Sequence, residues 1–113
     1  MSQLDLQTER TEGCVHLALS GELDLASAPE LLRALARVEA ERPGLILLDL
    51  RDLRFMDSTG LRTVVGADMR AREDGRRVAV VRGPEAVDRI FALTRIDERL
   101  EMLDEAPAGG AAG

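Results

Sequence analysis

Two adjacent hydroxyls, Ser58 and Thr59, stand between an aspartate, Asp57, and a glycine, Gly60. A serine hydroxyl can accept a phosphoryl group, which adds a charge of about −1.5 to −2 and three acceptor oxygens. At the start of a helix such a group meets unpaired N–H groups and the positive end of the helix dipole. Asp57 next door would repel it. Gly60 removes a side chain from the first turn, which is expected to let another protein's active site approach closely. The same four residues are also explained as plain helix capping, since Asp, Ser and Thr are favoured N-cap residues.

Other chemistry finds less material. The single histidine, His16, would have to reach Ser58 to form a nucleophilic pair, and a hydrolase would further need an oxyanion hole and an acid to orient its base. We therefore expect no enzyme and assign no catalytic residue. Asp49, Asp52 and Asp57 are spread along a strand and loop and read as solvated charge, not as a metal cluster. With one His and one Cys a zinc site lacks ligands, so neither metal nor cofactor is expected. Cys14 has no second cysteine to bridge and no basic neighbour to lower its pKa, so it reads as a small filler or a surface thiol. The net charge of −6 opposes a polyanionic partner. All basic residues are Arg, and the cluster Arg70, Arg72, Arg76 and Arg77 is interrupted by Glu73 and Asp74. With two Phe and no Tyr or Trp there is no base-stacking platform either, so nucleic acid is not an expected partner.

The elements that must position Ser58 follow from periodicity. Val15, Leu17 and Leu19 alternate in CVHLALS, a strand signal, and Leu4 and Leu6 begin a preceding strand that turns at Thr11–Glu12–Gly13. ASAPELLRALARVEAER reads as a helix with Ser27 and Glu30 at capping-box spacing and Pro29 in the first turn. Its apolar side is Leu31, Leu32, Leu35 and Val38, and Arg42–Pro43–Gly44 ends it. LILLDL, residues 45–50, is a continuous apolar run of the kind found in a strand buried on both faces of a parallel sheet. A short loop follows, and a second helix begins at Asp57–Ser58 with Leu61, Val64, Val65 and Met69 as its stripe and Gly75 as its stop. RRVAVVR is a further strand. A third helix runs from Gly83–Pro84 to about Leu93 with Val87, Ile90 and Phe91 inward, and Leu100 to Leu103 is a last strand or turn. Strands alternating with helices predict one α/β domain with a central, mixed and mostly parallel β-sheet flanked by α-helices. We place that domain at residues 1–105 and a disordered Ala/Gly tail at 106–113. No signal peptide and no apolar run near 20 residues is present, so a cytoplasmic location without membrane insertion is expected.

FMDSTGL, residues 55–61, resembles the signature of the STAS domain, specifically of bacterial anti-sigma-factor antagonists. A second stretch, Leu19-Ser20-Gly21-Glu22-Leu23-Asp24-Leu25-Ala26-Ser27-Ala28-Pro29, resembles the family's glycine–glutamate–leucine–aspartate segment ahead of the first helix. The correspondence extends through Leu48–Asp49–Leu50 and Ile90–Phe91, covering roughly residues 3 to 103.

The resemblance implies that Ser58 is the phosphorylated residue and that Asp24, Asp57, Thr59 and Gly60 share its partner surface, with Asp24 near the phospho-acceptor. It implies a partner switch. The unmodified chain would bind an anti-sigma factor that is also a serine kinase of the histidine-kinase-like ATPase fold, freeing a sigma factor. Phosphorylation would end the complex, and a serine phosphatase would restore it. An alternative within the same family is an accessory subunit of a lipid-transport ATPase or of a stress-sensing scaffold, with Ser58 unphosphorylated. Many relatives end in a further helix packed on the domain. Here the sequence after Glu105 is Ala, Gly and Pro, so either that helix is absent or it is truncated, and the contact surface is open to differ.

Overall fold

A computed structural model describes residues 3–107. The first two strands, β1 (Leu4–Thr11) and β2 (Cys14–Leu23), form an antiparallel hairpin. Gly13 turns it with φ of 77°, a conformation that costs glycine little. Then come α1 (Ala28–Ala40), β3 (Leu45–Met56), α2 (Ser58–Glu73), β4 (Arg77–Val81), α3 (Glu85–Leu93), a 3-10 turn at Ile96–Glu98, and β5 (Glu101–Leu103). The five strands lie in chain order, β1-β2-β3-β4-β5, and every pair after the first is parallel. This is the mixed, mostly parallel α/β domain that the element order predicts.

Strand order decides where the helices go. Each parallel crossover is right-handed by the usual steric preference. Because each new strand joins on the same side of the last, all three helices must fall on one face. The main core accordingly joins Leu17, Leu48, Leu50 and Val80 of the sheet to Leu35 of α1, Val64 of α2 and Phe91 of α3. The opposite face carries a separate small cluster, Leu47, Ala79 and Val81, to which no helix contributes. The apolar run of β3 is thus buried on both faces as expected, by helices on one side only. Cys14 packs against the small cluster as a filler. Ala106 packs there too. The remainder of the expected tail, residues 108–113, lies outside the described residues.

Three expectations need correction. β3 does not stop at residue 50 but runs to Met56, leaving Asp57 alone between strand and helix. The reason is continued pairing with β2, through register shifts near Ala18/Ser20 and Gly21/Glu22, that keeps Leu53 and Met56 in the core. Gly21 sits at this irregularity with φ of 99°, and a Cβ there would lie 2.1 Å from the Gln3 carbonyl oxygen. The capping box of α1 does not form: Ser27 is the N-cap but its side chain caps nothing in the helix. Finally, Leu32 and Met69 are exposed, not inward. A helix one side of which meets a sheet buries a stripe narrower than its apolar composition.

Candidate functional site

The site forms where β2 and β3 end side by side. Leu23 pairs with Met56 in the parallel register, so the residues that follow each strand emerge together. The Asp57 N–H donates to the Leu23 carbonyl (3.2 Å), extending that pairing by one residue. Asp57 has extended backbone and is the N-cap of α2. Its Oδ1 accepts from the Gly60 N–H at 3.0 Å. Its Oδ2 accepts from the Leu25 N–H at 3.2 Å, fastening the β2–α1 loop to the helix start.

Asp24 has its own structural duty in that loop. Its Oδ1 accepts from the N–H groups of Ala26 and Ser27, each at 3.0 Å. The Ser27 hydroxyl accepts from the Asp24 N–H and donates to the Glu22 carbonyl. This explains why Ser27 is unavailable for a capping box: its hydroxyl is committed to the loop, at 3% exposure. The two motifs singled out in the sequence, at Gly21–Asp24 and Asp57–Gly60, are therefore one structure.

Within it the residues differ in access. Ser58 is exposed at the first position of α2, Thr59 and Asp57 are half-buried, and Gly60 is buried. The Thr59 carbonyl accepts from the Thr63 hydroxyl at 2.9 Å, a back-bond that ties the first turn to the next. Gly60 has a packing reason within the chain. A Cβ on it would stand 2.8 Å from Leu23 Cγ and 3.0 Å from the Leu23 carbonyl oxygen. Its missing side chain admits this chain's own β2. The N–H groups of Ser58 and Thr59 have no acceptor among the described residues, as the first positions of a helix dictate. An anion on Ser58 would meet them directly.

Two apolar side chains that no periodicity flagged are exposed close in sequence to these strand ends. Leu25, in the loop held by Asp57, is 73% exposed, and Phe55, at the end of β3, is 49% exposed. In the sequence Leu25 looks like any loop leucine, and Phe55 like one more apolar residue of a strand.

His16 is elsewhere. It lies seven residues before the end of β2, about 23 Å of strand from Leu23. Its Nε2 is 3.0 Å from Asp49 Oδ2, on the sheet face without helices. Arg51 adds hydrogen bonds to both oxygens of Asp49 from its side chain (Nε–Oδ1 3.0 Å, Nη2–Oδ2 2.7 Å) and one from its N–H. Asp49 is thus not the solvated charge read from sequence: it is 5% exposed. Burial pushes its carboxyl upward, but the bonds from Arg51 and His16 together outweigh that and hold it below the usual carboxylate range. Among the described residues no group of three or more His, Cys, Asp or Glu is placed to hold a metal ion. No described helix is long and apolar enough to cross a membrane.

The family described as "Mlab, STAS domain" matches residues 6–104. The chain belongs to the STAS-domain family. Among curated STAS relatives, the anti-sigma-B factor antagonist of Bacillus subtilis (strain 168) is 26% identical over 106 residues, covering 94% of this chain and 96% of that protein. An anti-sigma factor antagonist from Mycobacterium paratuberculosis superposes with a TM-score of 0.79 at 26% identity, covering 90% of this chain and 86% of that one. The anti-sigma factor antagonist SpoIIAA in its unphosphorylated form, at 21% identity, has the same fold with a TM-score of 0.78 over 96% of both chains.

Proposed function

We propose that this STAS chain is an anti-sigma-factor antagonist whose binding is switched by phosphorylation of Ser58. The observation that carries the reading is the placement of one exposed hydroxyl at the first position of α2, in a frame that Asp57 locks to the β2–α1 loop. The full-length likeness to anti-sigma factor antagonists supports it. Unmodified, the surface formed by Leu25, Phe55, Ser58 and Thr59 docks an anti-sigma factor and keeps it from its sigma factor. Asp24 and Asp57 shape that surface through their bonds to its backbone, and Gly60 lets the helix start seat against Leu23.

The finer reading gives the anti-sigma factor a serine kinase activity of the histidine-kinase-like ATPase fold. The Ser58 oxygen attacks the γ-phosphorus of ATP held by that kinase. The new O–P bond forms as the bond to ADP breaks, and the hydroxyl proton passes to a base of the kinase. This chain supplies the hydroxyl alone. The phosphoserine then places a dianion in an interface fitted to a neutral group. Desolvating that group against a partner surface that offers it no counter-charge costs several kcal/mol, enough to weaken binding by orders of magnitude without refolding. A serine phosphatase hydrolyses the ester and restores the surface.

The test compares immobilised wild-type, Ser58→Ala and Ser58→Asp chains in native lysate, with retained proteins identified by mass spectrometry. An ATPase-fold kinase held by wild type and Ser58→Ala but lost by Ser58→Asp supports the switch. Equal retention by Ser58→Asp would remove the charge mechanism. Transporter or scaffold subunits held alike by all three baits would make the chain an assembly subunit instead.

A further inference from the structure

We propose that Arg62 is the counter-ion of phosphorylated Ser58, folding back one helical turn to hold the phosphate against the start of α2. The inference rests on the reading of Ser58 as phospho-acceptor and adds how the modified state is kept. Residues four apart on a helix are neighbours on its surface, and helical side chains lean toward the N-terminus. Arg62 therefore leans toward Ser58, and guanidinium matches phosphate in a two-pronged geometry.

Arg62 is available for this role. α2 carries three arginines, and the other two are engaged: Arg70 with Glu39, and Arg72 with Asp68 and the Arg99 carbonyl. Arg62 is exposed and has no ion pair or hydrogen-bond partner among the described residues. The first turn of α2 contains no acidic residue to claim it. The two site carboxylates, Asp57 and Asp24, already accept two N–H groups each.

The consequence concerns the charge of the switch. A phosphoserine loses its second proton near pH 6, and Asp57 next to it favours the monoanion by repulsion. A guanidinium one turn away favours the dianion and lowers that second pKa. With Arg62 in place the modified chain carries its full second charge at neutral pH.

The experiment introduces phosphoserine at position 58 of the full chain by genetic encoding, so that no kinase is needed. The phosphorus NMR shift is then titrated at low salt for wild type, Arg62→Gln, Arg62→Lys and Arg37→Gln, the last removing an exposed arginine in the final turn of α1. The expected result is a second phosphate pKa higher in Arg62→Gln than in wild type by about 0.3 unit or more. Arg62→Lys should recover at least half of the difference, and Arg37→Gln should match wild type. Coincident titrations of wild type and Arg62→Gln, or an equal shift in Arg37→Gln, would overturn the proposal. Whether the phosphoserine chain still binds the anti-sigma factor is measured separately. Undiminished binding would reject the switch itself, whatever the titration shows.

Discussion

The carboxylate of Asp57 holds the amide of Leu25, 32 residues earlier in the chain, at 3.2 Å while its other oxygen caps α2 through Gly60. One side chain thus sets both the helix start that carries Ser58 and the loop that carries Asp24 and Leu25. Asp57→Ala should lower stability by about 1 to 2 kcal/mol, the usual cost of a lost cap. Hydrogen exchange should quicken at the Leu25 and Gly60 amides together. Faster exchange at Gly60 alone would show that the loop is held by other contacts.

Gly60→Ala offers a sign test. In an ordinary helix interior this change gains about 1 kcal/mol. Here the new methyl would press on Leu23, which is fully buried and cannot swing away. A loss of roughly 1 to 3 kcal/mol is expected from overpacking, read from the midpoint of denaturant unfolding. A variant as stable as wild type would show that α2 can shift off β2 freely.

Asp49 gives the molecule an acid limit. Its carboxyl is held below the usual range despite burial, through Arg51 and His16. A group with a depressed folded pKa contributes stability that is present above its unfolded value, about 3.9, and lost as pH falls through the folded value. Unfolding free energy should therefore drop below about pH 4 in wild type. Asp49→Asn should flatten that slope while costing about 1 to 3 kcal/mol at neutral pH. Identical slopes in the two chains would assign the acid limit to other carboxylates.

Leu25 and Phe55 separate binding from folding. Both are largely exposed, so Leu25→Ala and Phe55→Ala should change stability by no more than about 0.5 kcal/mol. As apolar anchors of the proposed contact surface, each should weaken binding of the anti-sigma factor by about tenfold, or ~1.4 kcal/mol. Titration calorimetry against the isolated partner decides the matter, and unchanged affinity would place the interface elsewhere.

Much of this protein could be read from its residues in order. Period-two alternation in Cys14–Ser20 and the apolar run at 45–50 specify strands, and the stripe through Leu61 and Val64 specifies α2, because burial on a sheet or helix imposes those spacings. The Asp-Ser-Thr-Gly segment marks a helix start on its own. Tertiary structure decided what those residues do there. Only the parallel pairing of Leu23 with Met56 brings the loop after β2 to the helix after β3, and no local spacing encodes a bond across 32 residues. The same holds for Gly60, whose reason is a leucine on another strand, and for Asp49, whose partner His16 lies on the neighbouring strand two residues out of register. Local periodicity records which side of an element is buried; what covers that side depends on strand order and register, which belong to the whole chain.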